Sequence, residues 1–240
     1  MRVLLRVLPV ASMLTALTVL TLLVTSDVEA QSRLVLEDFE TYRVNDIPTG
    51  WSQTRGRNLV PLEKSHMAPD EYFVVQNEGG NQFVRARVEK QAQKIVLPMT
   101  ATREWSLEDY PSLEWRWRAR ELPAGSDERK SKTNDSGAAL YVTFGYSFFG
   151  RPQSIKYVYS ESLPVGTVAE YGSLKVLVVS SGNDGIGSWR TVKRNVVDDY
   201  RQLFGKEPPA NAEAITLWSD ADTVNGTAEA DFDDIVALGG

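Results

Sequence analysis

The side chains best suited to chemistry gather between Ser188 and Leu238. Asp220-Ala-Asp222-Thr-Val-Asn225-Gly226 sets three oxygen-bearing side chains just past an apolar run, Ala214 to Trp218. Hard cations such as calcium take clustered oxygen ligands. The spacing misses an EF-hand loop by one residue, and the same residues also make an ordinary turn held by its own Asx side chains. Asp135 and Asp199 join Asp220 and Asp222 as candidates for a carboxylate pair. Glycoside hydrolysis needs an acid and a base or nucleophile ~5–10 Å apart, a separation that only a fold can set. Trp189 and Trp218 suit either a sugar-stacking platform or a core. Trp189 leads into the basic residues Arg190, Lys193 and Arg194.

Arginines form the second constellation. In Leu113-Glu-Trp-Arg-Trp-Arg-Ala-Arg120 the apolar residues point one way, and Glu114, Arg116, Arg118 and Arg120 the other. Val84, Ala86 and Val88 repeat the pattern against Arg85, Arg87 and Glu89. Two such strands make a basic sheet face, fit for carboxylate, sulfate or phosphate if open. If closed, its arginines pair with neighbours such as Glu114 and Glu89. Glu40 and Asp233 are a separate metal candidate: where the first and last strands pair, two carboxylates meeting at the edge need a cation or a proton between them. His66 is the single histidine, so a histidine-based triad or metal site would rest on it alone.

The elements that position these groups are short. Leu34–Glu40, Tyr72–Val75, Phe83–Val88, Lys94–Leu97, Leu113–Arg120, Ala138–Tyr146, Ile155–Tyr159, Leu174–Val179, Ala214–Trp218 and Ala230–Leu238 read as strands, separated by Gly-, Pro-, Asn- and Ser-rich loops. One helix is expected from Asn195 to Phe204. Asn195 serves as N-cap, Asp198 and Asp199 bring negative charge to the first turn, and Gly205 takes the C′ position. The pattern predicts an all-β fold, an antiparallel, jelly-roll-like β-sandwich with one short helix in the C-terminal part.

Arg2 and Arg6, the apolar run Val7–Val24 and the small residues Val28 and Ala30 form a secretory signal ending at residue 30. Residues 31–240 then form a single domain, exported to the periplasm or beyond, with no stable membrane anchor after cleavage. The chain has no cysteine, which excludes disulfides and thiolate chemistry. A net charge of −6 argues against a nucleic-acid partner.

Tyr110-Pro-Ser-Leu-Glu-Trp-Arg-Trp117, Leu122-Pro123 followed by Asn134-Asp135, Trp189–Arg194, Asp199-Tyr-Arg201, Leu203-Phe-Gly205 and Asp220-Ala-Asp-Thr223 together resemble the uncharacterised bacterial family catalogued as domain of unknown function 3047. The resemblance implies the domain and no activity. Phe39-Glu40, Pro48-Thr-Gly-Trp51 and Phe232-Asp-Asp-Ile-Val236 are similar to the first and last strands of carbohydrate-binding jelly rolls. That likeness implies glycan binding and a structural calcium between those strands. The expected function is binding of a glycan or another anionic extracytoplasmic ligand, with an acidic glycan or a cell-envelope component as the partner. The alternatives are a glycan hydrolase or lyase of the same architecture, and an envelope interaction module.

Overall fold

Period-two patterning runs through most of the extended segments, and each buries its apolar side. The computed structural model describes residues 31–56, 58–68, 70–146 and 150–240. The expected signal segment lies outside the described residues, as does the His66 side chain. Among the described residues no helix is long and apolar enough to cross a membrane.

The strands of the first half are β1 (Arg33–Glu37), β2 (Ser52–Arg55), β3 (Asn58–Pro61), β4 (Tyr72–Glu78), β5 (Asn81–Glu89), β6 (Ala92–Pro98) and β7 (Ser112–Glu121). The second half adds β8 (Ala138–Tyr146), β9 (Pro152–Ser160), β10 (Val168–Tyr171), β11 (Leu174–Ser181), β12 (Arg190–Asn195), helix α1 (Val196–Phe204), β13 (Ala214–Asp220) and β14 (Thr227–Leu238). One sheet has the order β12-β7-β14-β5-β4, with β1 also paired to β14. The other runs β10-β11-β9-β8-β13-β6-β2-β3. The chain crosses between sheets at each step from β5 to β8. It then returns to insert β13 between β6 and β8, and β14 between β5 and β7. This is the expected jelly-roll-like sandwich, with one departure: β11 pairs parallel to β9. The β10–β11 hairpin folds back with β10 on the outside, which brings β11 alongside β9 in the same direction.

Aromatic residues fill the space between the sheets. Leu113, Trp115, Trp117 and Ala119 of β7 are all buried, as the alternation requires. Trp115 meets Tyr157 of the facing sheet at 5.4 Å between centroids, and Trp117 meets Tyr159 at 5.9 Å. Each ring fully withdrawn from water contributes about 1.5–3 kcal/mol. The segment from the end of β1 to Trp51 is held by a carboxylate that sequence reading did not single out. Glu37 accepts the indole N–H of Trp51 at 2.9 Å, the Tyr42 hydroxyl at 2.7 Å and the Phe39 amide at 2.9 Å. These bonds hold Phe39 at φ +57°, a strained value for a side chain with Cβ.

The helix starts and stops where expected. The Asn195 side chain accepts the amides of Val197 and Asp198 at 3.1 and 3.0 Å, and Gly205 adopts the left-handed conformation at φ +67°. Val196 and Tyr200 are buried, and Tyr200 packs edge-on against Phe144. Replacing Asn195 with alanine removes the only side-chain acceptor described for those two amides. The expected cost is about 1 kcal/mol, or ~2–4 °C of melting temperature for a domain of this size, read by thermal denaturation.

Candidate functional site

The two outer faces of the sandwich treat their polar side chains differently. On the outer face of the β7/β14/β5 sheet, β14 carries an acidic row at period two, Glu229, Asp231 and Asp233. Register places Asp231 opposite Arg118 on one side and Arg85 on the other. Arg85 Nε donates to Asp231 at 2.7 Å and Arg118 Nε at 2.5 Å, while Glu229 accepts from Arg87 and Arg120 at 3.0 and 2.7 Å. Arg118 also reaches Glu78 at 2.7 Å, and its guanidinium lies 5.2 Å from the Phe83 centroid and 4.7 Å from that of Trp189. Trp189 is half-buried and meets Phe83 edge-on at 5.3 Å.

The expectation of an open basic face is therefore corrected: cross-strand acids neutralise it, and Arg118 is buried. The closed alternative had the right kind of partner on the wrong strands, since β14 rather than Glu114 and Glu89 supplies most of the acids. Arg116 donates to Asp234 at 2.8 Å, because a bulge between Asp233 and Val236 turns two successive acids toward it. The period-two acids of β14 were visible in the sequence and are the signal that would have found this lattice.

Glu40 and Asp233 do not share a buried edge. β1 and β14 do pair, yet Glu40 lies three residues past the end of β1 and is exposed. Its carboxylate accepts the Gln82 amide, and Asp233 accepts the Asn81 side chain and the Asp234 amide. Burial pushes the Asp233 carboxyl up to about 6. Asp199 stands in the first turn of α1, where it accepts the Tyr157 hydroxyl at 2.9 Å and a fork from Arg194. A cavity of about 460 Å³ beside β12 is lined by Arg190, Lys193 and Arg194, among others. Arg194 is committed to Asp199, and Arg190 to the Asp184 carbonyl and the Tyr159 ring.

The other outer face, across β6, β13, β8 and β9, is not self-satisfied. Register sets Trp218 opposite Lys94 and Tyr141 opposite Lys156, and the two pairs meet on the diagonal, since Trp218 faces Ala139 and Tyr141 faces Thr216. The Trp218 and Tyr141 rings stack at 5.5 Å and 24°. Lys94 Nζ lies 4.6 Å from the Trp218 centroid, and Lys156 Nζ lies 5.6 Å from that of Tyr141. Burial lowers the pKa of both lysines and raises that of Tyr141. Trp218 and Lys94 are half-buried; Tyr141 and Lys156 are buried.

At one end of this row, three of the four candidate aspartates converge. Asp220 closes β13, Asp222 begins the next loop, and Asp135 precedes β8, the neighbour of β13. An oxygen of each lies within 4.8 Å of the others. Local backbone bonds enforce the meeting: the Asp220 amide donates to the Ser136 carbonyl, and Gly226 is tied to Ala221 and Lys90. Gly137 fits only because it lacks a side chain, since a Cβ there would meet Leu122 at 2.9 Å. Asp135 is wholly buried and accepts the Thr223 hydroxyl at 2.6 Å, the Thr223 amide at 3.3 Å and the Val224 amide at 2.8 Å. Burial pushes the Asp220 carboxyl up to about 7, with Lys156 opposing and Asp135 and Asp222 reinforcing.

Glu128, which sequence reading missed, is buried nearby. It accepts the Ser160 hydroxyl at 2.7 Å, and burial raises its pKa. Seven buried side-chain polar atoms among the described residues lack a hydrogen-bond partner. Five of them belong to β13 and the 122–136 loop: Trp218 Nε1, Asp220 Oδ1, Ser126 Oγ, Glu128 Oε1 and Ser136 Oγ.

The match to the family described as "Protein of unknown function (DUF3047)" spans residues 57–236. The chain belongs to this family. A search of curated proteins gives no match. Among solved structures, the chain is similar to the family 11 carbohydrate-binding module of cellulosomal cellulase Lic26A-Cel5E of Clostridium thermocellum. Identity there is 11%, coverage 88% of this chain and 96% of that one, and the TM-score 0.41. It is also similar to a family 12 xyloglucanase from Bacillus licheniformis, at 9% identity, 87% and 100% coverage and TM-score 0.41. The exolytic PL7 alginate lyase AlyA5 from Zobellia galactanivorans matches at 12% identity, 81% and 97% coverage and TM-score 0.37. None of the three carries an activity over to this family member.

The arginine lattice makes a stability prediction. Asp231 is fully buried between two guanidinium groups, and removing one partner of a buried pair leaves the other charge uncompensated. Asp231→Ala is expected to cost about 3 kcal/mol or more. Glu229→Ala, whose partners Arg87 and Arg120 keep contact with water, should cost about 1 kcal/mol or less. Urea denaturation of the two variants checks the contrast, and equal costs would contradict the lattice.

Proposed function

We propose that this family member is an exported binding protein for a polyhydroxylated ligand carrying negative charge, an acidic glycan above all. The ligand is held on the outer face of the β6/β13/β8/β9 sheet. One observation carries this reading: buried donors and acceptors without partners collect beside a stacked aromatic pair flanked by two lysines. Buried polar groups are almost always satisfied, so such a cluster marks a place where another molecule completes the bonding. A sugar offers a C–H face to the accessible part of the Trp218 ring, and its hydroxyls can reach the enclosed groups through ordered water. Lys94, placed over the Trp218 ring and half-exposed, suits an anionic substituent. Trp218 and Lys94 are the accessible members, with Tyr141 and Lys156 supporting them.

The same surface offers less to hydrolysis. Asp135 and Asp220 are buried, away from a scissile bond lying on the surface, and only Asp222 is exposed. Asp135 is also spent on the loop that follows β13. Binding without cleavage is the reading that fits. The signal-like first thirty residues support export, and the absence of cysteine fits a domain held by its core alone.

A panel of acidic and neutral polysaccharides, scored for retention and for cleavage, tests the proposal. Retention of acidic members without cleavage is expected. Lys94→Ala should weaken it about tenfold, the equivalent of one charge-assisted hydrogen bond, with the melting temperature unchanged. Retention should also fall with added salt. Product formation would favour the enzyme, and no retention anywhere on the panel would reject the glycan reading.

A further inference from the structure

We infer that Asp135, Asp220 and Asp222 form a binding site for a hard divalent cation, calcium by its ligand set, which ties the loop before β8 to the loop after β13. Three features support it. The first is reach: an oxygen of each aspartate lies within 4.8 Å of the other two. Two ligands at ~2.3–2.6 Å from one calcium can be no further apart than about twice that length, and the spacing of the three oxygens meets that limit, with the exposed Asp222 able to close in on an ion.

The second is free capacity. Asp220 is 8% exposed, and its Oδ1 is buried without any hydrogen-bond partner. Such an acceptor pays its full desolvation cost unless a proton or a cation meets it. Asp135 accepts three hydrogen bonds, which leaves one of its roughly four lone-pair directions open. Asp222 is exposed and free to swing. The buried Ser136 hydroxyl also has no partner, and the carbonyl of the same residue accepts the Asp220 amide, so a fourth oxygen stands close in the chain.

The third is charge. Three carboxylates at this distance repel one another. Lys156 offsets part of this repulsion, but it is a single charge against three, and its ammonium lies over the Tyr141 and Trp218 rings at 5.6 and 6.0 Å with no ion pair described to any of the three. The ligands are all oxygen, with no imidazole or thiolate, which selects calcium or magnesium over zinc or copper. An ion here would add to ties the loop already has. Residues 221–226 connect the central strand of one sheet to the central strand of the other, and the Asp135 bonds to Thr223 and Val224 are its link to the 122–136 loop.

The site shares the unpaired Asp220 Oδ1 and Ser136 Oγ with the glycan reading but is tested apart from it. Chelator-treated protein is titrated with calcium chloride by calorimetry, and with terbium by luminescence excited through tryptophan. Trp218 stands two residues from Asp220 and is the expected sensitiser. The expected result is one saturable site, with the melting temperature raised about 5–10 °C at calcium one hundred times Kd. Asp222→Asn should weaken binding at least tenfold and leave the metal-free melting temperature unchanged, because the residue is exposed. Asp220→Asn should abolish binding; if that variant does not fold, Asp222→Asn decides alone. Melts identical with calcium and with chelator, together with no calorimetric signal, would overturn the site in favour of a shared proton. Undiminished calcium binding in Asp222→Asn would overturn it too, by placing the ion elsewhere. Glycan retention is measured separately, so losing either result leaves the other standing.

Discussion

The sandwich depends on two slots being filled late in the chain. β13 has to enter between β6 and β8, and β14 between β5 and β7, each hydrogen-bonding on both sides. Until both are in place, neither sheet is continuous. Every backbone group of these central strands must then find a partner inside the protein, so their registers leave little freedom. Those registers in turn decide which side chains become neighbours: Asp231 with two arginines on one face, Trp218 with Lys94 and Tyr141 on the other.

The contrast between the outer faces follows from this arrangement. β14 carries acids at every second position from Glu229 to Asp233, opposite arginines on β5 and β7, so its face is closed by charge pairing within the sheet. β13 alternates Thr216, Trp218 and Asp220 between strands that offer lysines, a tyrosine and small residues. None of that set bonds the indole N–H of Trp218 or Oδ1 of Asp220. One face spends its polar groups on stability, and the other keeps several without partners. A surface that withholds bonding from itself has capacity for a ligand, and the sandwich core can bear the cost because its rings are so fully buried.

The 220–226 loop links these faces. It leaves the centre of one sheet, passes Asp135, and enters the centre of the other. The close approach of three carboxylates is thus a consequence of strand order. β8 and β13 are adjacent, so the residues before one and after the other must meet at the same end.

Much of this was legible in the residues themselves. Alternation placed Trp115 and Trp117 inside and Arg116 and Arg118 outside. Asn195 and Gly205 marked the ends of α1, because capping is decided within a few residues. Turn-rich spacing between apolar runs indicated a jelly-roll-like sandwich. What sequence could not supply was partnership across long separations. Whether Arg118 met solvent, a ligand or Asp231 depended on which strand lay beside β7, a pairing 113 residues away along the chain. The parallel β9–β11 ladder, the role of Glu37 in holding Phe39, and the separation of Asp199 from the other three aspartates belong to the same class. Local chemistry determined the elements and the direction of each side chain. Only tertiary structure decided which of those side chains found a partner and which were left without one, because hydrogen bonds and ion pairs act between neighbours in space.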